Sequence, residues 1–370
     1  MTAERYVFAN QLRGLAALCV VCAHLGGLYW VERQLVAGAT FSPVTTAAAP
    51  PTLALFTTAW LNLGPFGVAL FFLISGFVIP ISLERLTPAA FLMARAFRIF
   101  PTYWLALAIE LAVVALGAAY WHHPFTYGAG LMLSNAFLIT DIANLPTVDF
   151  VNWTLMIEIK FYVLMALLIV PVRRGSLIAL FAVAAFILFV SRFSHEIFLV
   201  LPQLGNTLRI FEMNALYVLF MLIGVVFSYH ARGLIGNVRL WTAVPALFVL
   251  FVICWPLTFF RGDFPLVTLN YGYALLVFGG AYALRGAIKP SRVFDFFAAI
   301  SYPLYLVHFL IGFSLMQVLT SWNVNALLAT LAALAVVIAL ATFLHYAIEL
   351  PSQAAGKALA MRVFPAVRSG

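Results

Sequence analysis

Ten apolar runs, most of them close to twenty residues long, recur along the chain near 12–30, 62–83, 99–119, 153–172, 176–191, 207–229, 240–257, 266–285, 297–320 and 325–349. A continuous apolar stretch of about 20 residues spans the hydrocarbon core of a bilayer as an α-helix. Only helices and closed barrels satisfy their backbone polar groups there. A barrel would show short alternating segments in place of long runs. Hydrophobic residues make up 65% of the 370 and charged residues 9%, whereas globular chains are about a quarter charged. The expected fold is therefore an all-α polytopic bundle of about ten transmembrane helices, a single integral-membrane domain over 1–370 with its core at about 10–351. No appended soluble domain, low-complexity linker or internal repeat interrupts it.

The side of each loop follows from charge. With the N-terminus inside, the 20 Lys and Arg residues divide into fifteen on cytoplasmic segments and four outside (Arg33, Arg192, Arg209 and Arg261), with Lys160 in a span. That is the positive-inside bias, and it places both termini in the cytoplasm. The run Tyr127 to Thr140 is apolar but short and contains glycine, so it is read as interfacial or re-entrant; an eleventh crossing there would invert the bias. Glu32 to Pro51 reads as an outer loop. The first run is too long for a signal-peptide core and holds a histidine, so it reads as a retained anchor. The net charge of +8 is accordingly topological and gives no reason to expect nucleic acid.

Within these runs the ionisable residues carry the functional signal, because a charge inside a membrane helix is costly and faces the protein interior. Arg13 opens the first run and His24 follows eleven residues later. Eleven residues are close to three helical turns, so the two share one face, roughly 16 Å apart along the axis. An arginine at a helix start can snorkel to the surface; His24 lies too deep to do so. A purely structural histidine bonded to a carbonyl is the plainer alternative. Cys19 and Cys22 have redox-dithiol spacing, but mid-span and without that fold context they read as small packing residues, as does Cys254.

Three further groups stand out. Arg95 and Arg98 precede Ile99-Phe100-Pro101 and the third run. Residues three apart share a helix face, and paired guanidiniums match the oxygens of a phosphate; a topology anchor would accept arginines at any spacing. Pro101 reads as a break or kink between an interfacial helix and the span. The stretch Asn152-Trp153-Thr154-Leu155-Met156-Ile157-Glu158-Ile159-Lys160-Phe161-Tyr162 sets Glu158 and Tyr162 one turn apart on one face. A carboxylate so placed needs a partner, and a residue on another helix, such as His24, or a bound hydroxyl is expected to supply it. Late in the chain, Ser301-Tyr-Pro-Leu-Tyr305-Leu-Val-His308 puts Tyr305 and His308 three apart, facing one cavity, and Glu349-Leu-Pro351 closes the last run. Glu110, Glu212 and His345 fit no pattern that ties them to chemistry.

Taken in order, Arg-x10-His, Arg-x-x-Arg, Trp-Thr-Leu-x-x-Glu-x-x-Phe-Tyr, Ser-Tyr-x-x-Tyr-Leu-x-His and Glu-x-Pro resemble acyltransferase family 3, the integral-membrane O-acyltransferases of bacterial surface polysaccharides and related acceptors. The resemblance runs from about Asn10 to Pro351. Many members carry a second acidic residue after the glutamate, where this chain has Ile159, so a carboxylate-pair role is not carried over. The resemblance implies transfer of an acyl group, usually acetyl, from cytoplasmic acyl-CoA to a hydroxyl of a sugar or glycan, in the bacterial inner membrane. It implies no resident cofactor or metal, and a chain that acts alone or with a separate extracytoplasmic transferase partner. Arg13, Arg95 and Arg98 would hold the donor, His24 would act as general base or acyl carrier, and Glu158 would orient it. Trp153, Tyr162, Tyr305 and His308 would line the cavity.

A secondary transporter also uses buried His, Glu and Arg, but the paired Gly/Pro-interrupted spans of such folds are not found. A lipid-linked scaffold or flippase would leave His24 and the arginine pair without a task. The charge bias predicts that reporters fused at the C-terminus, and in the Arg95–Arg98 segment, report the cytoplasmic side. Activity of these fusions only outside the cytoplasm would overturn the topology.

Overall fold

The computed structural model describes residues 7–364 apart from Thr57 and Ala59; Arg5 and Arg368, both counted in the charge bias, lie outside the described residues. Among these residues nine helices are long and apolar enough to cross a membrane, and a bent pair makes up to ten. The architecture is the expected all-α polytopic bundle. The first helix, α1, runs Val7–Val31. A short helix α2 (Arg33–Thr40) follows, then α3 (Leu63–Ser82), α4 (Pro88–Tyr120), a short α5 (Ala129–Ala136), α6 (Trp153–Leu167) and a one-turn α7 (Ile169–Arg173). The second half contains α8 (Leu177–Val200), α9 (Gly205–Ala231), α10 (Asn237–Cys254), α11 (Phe264–Ala283) and an eight-residue α12 (Arg292–Ala299). Two short helices, α13 (Ser301–Val307) and α14 (Leu310–Ser321), form the bent span with a 50° break. Helix α15 (Ala326–Leu344) passes through a π-turn, His345–Glu349, into α16 (Leu350–Val363).

Two expectations are corrected. Pro101 does not break its helix: α4 is continuous over 33 residues, so Arg95 and Arg98 sit inside it. Proline removes one N–H donor, and turns on both sides carry the helix past the loss. The 32–51 segment is not all loop, since α2 folds there, with Thr40 Oγ1 bonding back to Val36 O (2.8 Å). The Tyr127–Thr140 run forms only the eight-residue α5, too short to cross.

Helix α3 is the centre of the bundle, packed against α1, α9 and α11. Lipid tails are as apolar as leucine side chains, so tight backbone approach, not hydrophobicity, drives such helix pairing. Gly76 and Gly224 make the closest crossing. A Cβ on Gly76 would fall 2.1 Å from Met221 O, and one on Gly224 would fall 2.3 Å from Leu73 O. Both obstacles are backbone atoms and cannot rotate aside. On the α1 side, a Cβ on Gly14 would meet Phe294 O of α12 at 2.2 Å. Gly224→Val should therefore force α9 away from α3, destabilising the bundle by at least about 1–3 kcal/mol, the usual range for overpacking. Thermal unfolding in detergent checks this, with Gly280→Val, where a Cβ meets nothing within 4 Å, as the control that should hold its midpoint.

Candidate functional site

The packing of α1, α3, α4, α6 and α13 encloses a cavity of about 80 Å³, room for several waters or one phosphate-sized group, lined by Arg13, Ser75, Arg98, Glu158, Tyr302 and Tyr305 among others. Its chemistry is uneven. Glu158 is well partnered: Tyr162, one turn on, donates its hydroxyl to Oε1 at 2.6 Å, and Ser75 of α3 donates to the same oxygen at 3.1 Å. Tyr302 donates to Ile99 O at 2.8 Å. Tyr305 donates to Val151 O (3.0 Å) and accepts from Thr154 Oγ1 (2.7 Å). The arginines are not so satisfied. Arg13 donates no hydrogen bond to any described residue, and neither does Arg98, whose nearest carboxylate oxygen, on Glu349, is 3.9 Å away. Each guanidinium carries five N–H donors. Two half-buried cations with no hydrogen-bond acceptor of their own thus face one cavity.

Arg95 does not join them. Its Nη2 donates to Ser82 Oγ at 2.6 Å and its guanidinium lies 5.3 Å from the ring centres of both Phe91 and Tyr162. It is absent from the cavity lining. Arg95 and Arg98 lie on one helix as expected, but the third turn of α4 sends one side chain to α3 and α6 and the other into the cavity.

Beyond the cavity lies a pair of histidines. His24 starts a π-helical segment, His24–Leu28, a wide turn that is rare and often sits at functional sites. Its Nδ1 is 2.7 Å from Nε2 of His308, the two rings nearly coplanar at 3°. His308 sits in the break between α13 and α14, fully buried, with its Nδ1 3.1 Å from Leu304 O and 2.8 Å from Tyr305 O. Carbonyl oxygens only accept, so His308 Nδ1 carries the proton. In the neutral pair its Nε2 must then accept from His24 Nδ1–H. The lone pair on His24 Nε2 is left free, the form of imidazole that acts as a base or nucleophile. The two histidines stand behind the cavity wall at Tyr305, whose ring centre lies 5.7 Å from that of His308.

Glu158 has a partner on another helix, as the sequence reading expected, but that partner is Ser75, together with Tyr162 on its own helix, and not His24, which pairs with His308. Trp153 does not line the cavity; its ring packs 4.9 Å from Tyr217 and 6.3 Å from Phe72. Lys160 turns away from Glu158 as expected, into a salt bridge with Asp141 and a bond to Asn214 Oδ1 (3.1 Å). Ser75, Thr154 and Tyr302 enter the site without having been singled out. Thr154 and Tyr302 were visible inside the quoted motifs, whereas a lone serine in an apolar run gives no signal.

A family model described as an acyltransferase domain matches the chain over residues 6–346. The chain belongs to acyltransferase family 3. The family and the bundle together make it a multi-pass membrane acyltransferase. No curated protein and no solved structure matches it.

The tautomer of His24 depends on what stands at position 308. Glutamine can both accept from His24 Nδ1–H and donate to the two carbonyls, whereas leucine can do neither. His308→Leu should lower acyl transfer by about a hundredfold, within the range for a misplaced general base, and His308→Gln should restore most of it. Equal activity of the Leu variant, at matched folded protein, would make the contact incidental.

Proposed function

We propose that the protein is a membrane-bound O-acyltransferase that takes an acyl group, acetyl by preference, from cytoplasmic acyl-CoA and passes it to a hydroxyl of a sugar or glycan. The observation that carries this reading is the pair Arg13 and Arg98, lining one cavity with their N–H donors unused. Glu349 and Glu158 offset part of this charge from nearby without accepting a hydrogen bond from either arginine, and phosphate is the anion whose geometry suits guanidinium donors. Coenzyme A supplies phosphates at one end and a thioester at the other. The positive-inside reading puts the N-terminal ends of α1 and α4 on the cytoplasmic side, with Arg13 and Arg98 inside those helices, and His24 about half a bilayer beyond Arg13, a distance suited to the extended arm of the donor.

On this reading His24 Nε2 takes the proton of the acceptor hydroxyl as the oxygen attacks the thioester carbonyl. The C–S bond then breaks, and the departing sulfur receives the proton, so that an ester and free coenzyme A result. In the two-step form, Nε2 itself attacks the thioester carbonyl and the C–S bond breaks to release the thiolate; the acceptor oxygen then attacks the acyl-histidine, the C–N bond breaks, and the hydroxyl proton ends on the sulfur. His308 keeps the reactive nitrogen unprotonated in either case. Glu158, held by Tyr162 and Ser75, supplies negative charge to a cavity otherwise dominated by arginine and so limits the number of anionic groups it accepts.

His24→Gln should lower acylation of the acceptor by about 10²–10⁴, because glutamine cannot take up a proton or an acyl group, while coenzyme A binding persists. Arg13→Ala and Arg98→Ala should weaken that binding, and lysine should rescue only in part because it lacks the planar fork. Radiolabelled acetyl-CoA without acceptor separates the two mechanisms: label retained by the wild type and lost in His24→Gln identifies the acyl-histidine route. Near-normal turnover by His24→Gln would refute the catalytic assignment. An anion bound in the cavity with no acylated product from any hydroxyl acceptor would favour the transporter reading instead.

A further inference from the structure

The last span ends in a second π-turn, His345–Glu349, and that turn carries a carboxylate 2% exposed. A buried carboxylate left without a cation is strongly destabilising, so the groups around Glu349 have to be accounted for. His345 Nδ1 lies 2.7 Å from Oε2, and Gln353 donates Nε2–H to Oε1 at 2.9 Å. These two contacts, one turn before and one turn after, fix the carboxylate from its own helix. Among the described residues the Lys or Arg within 4 Å of it is Arg98. The approach of the two helices is built in: a Cβ on Gly356 would fall 2.3 Å from Phe97 Cβ, so the glycine lets α16 lie directly on α4 beside Arg98.

The separation of 3.9 Å between Arg98 Nη1 and Glu349 Oε1 is too long for a hydrogen bond. It is short enough for electrostatic attraction to a carboxylate that is itself buried. Glu349 therefore neutralises Arg98 without occupying its donors. A carboxylate bonded directly to the guanidinium would compete with an arriving anion; one whose own oxygens are taken up by His345 and Gln353 does not.

We propose that Glu349 is a positioning residue for the anion site: it holds the Arg98 guanidinium at the cavity with its N–H groups free for a phosphate of the acyl-CoA donor. The inference rests on the reading of Arg98 as a donor ligand. It assigns the late Glu-x-Pro segment to donor binding and away from the chemistry at His24.

The test measures coenzyme A binding to full-length protein in lipid nanodiscs, together with acyl-transfer kinetics, for wild type, Glu349→Gln, Arg98→Ala and the double variant. Glutamine keeps the shape and removes the charge. Glu349→Gln should weaken coenzyme A binding about tenfold and raise KM by a similar factor, with kcat changed less than about threefold, and the double variant should bind no more weakly than Arg98→Ala, as contacting residues do when one acts through the other. Losses that multiply in the double variant, or a Glu349→Gln affinity equal to or tighter than wild type while Arg98→Ala is weakened, would overturn the inference and leave the donor reading intact. Failure of the wild type to bind coenzyme A would overturn both. If Glu349→Gln does not fold, His345→Gln replaces it. That variant loosens the carboxylate while keeping its charge, and its few-fold loss should again vanish when Arg98 is alanine; a loss that persists there refutes the proposal.

Discussion

A guanidinium cannot be left among lipid chains, and that constraint shapes the middle of this molecule. Arg13, Arg95 and Arg98 all belong to helices long and apolar enough to span a bilayer, and each is turned toward protein. Helices α1, α3, α4 and α6 stand around the cavity that Arg13 and Arg98 line. Where Gly76 meets Gly224 and Gly14 meets Phe294, backbone lies against backbone, which fixes α3 against α9 and α1 against α12. The apolar exterior is then no more than the surface the bilayer requires.

Inside this frame the irregular turns coincide with the residues of the proposed chemistry. His24 opens a π-turn, His308 occupies the 50° break of a span, and Glu349 closes a second π-turn. At the end of α13 the ring of His308 turns its Nδ1 onto Leu304 O and Tyr305 O, and those carbonyls set which tautomer His308, and through it His24, must adopt. The orientation of the His24 imidazole is thus set through backbone carbonyls, where a soluble triad would use a carboxylate.

The number of spans, their order and the shortness of the 127–140 segment were legible in the sequence because each rests on one-dimensional apolar length. So was the pairing of Glu158 with Tyr162, an i,i+4 contact on one helix. At the site the departures concern contacts between helices. Glu158 was expected to meet a residue on another helix, with His24 as the example, or a bound hydroxyl; it does meet another helix, but through Ser75, a residue with no distinguishing context. His308 was visible as a motif residue, yet its bond to His24 depends on a bend angle that hydropathy does not encode. Arg95 and Arg98 share a face in projection, but a side chain's destination depends on the neighbour it meets, here Ser82 for one and the cavity for the other.

That divergence alters what an anion site in this fold can do. Two arginines on one helix would grip a phosphate without regard to the rest of the bundle. Arg13 and Arg98 come instead from α1 and α4, and α1 is the helix that also carries His24. On the proposed reading a bound phosphate bridges those two helices and relieves the repulsion between their charges. Binding energy from the donor's remote end can then be used to fix α1, and with it the imidazole, relative to the thioester, the way non-reacting parts of a substrate contribute to rate. A clamp confined to α4 would bind the donor equally tightly and do nothing for the reacting nitrogen.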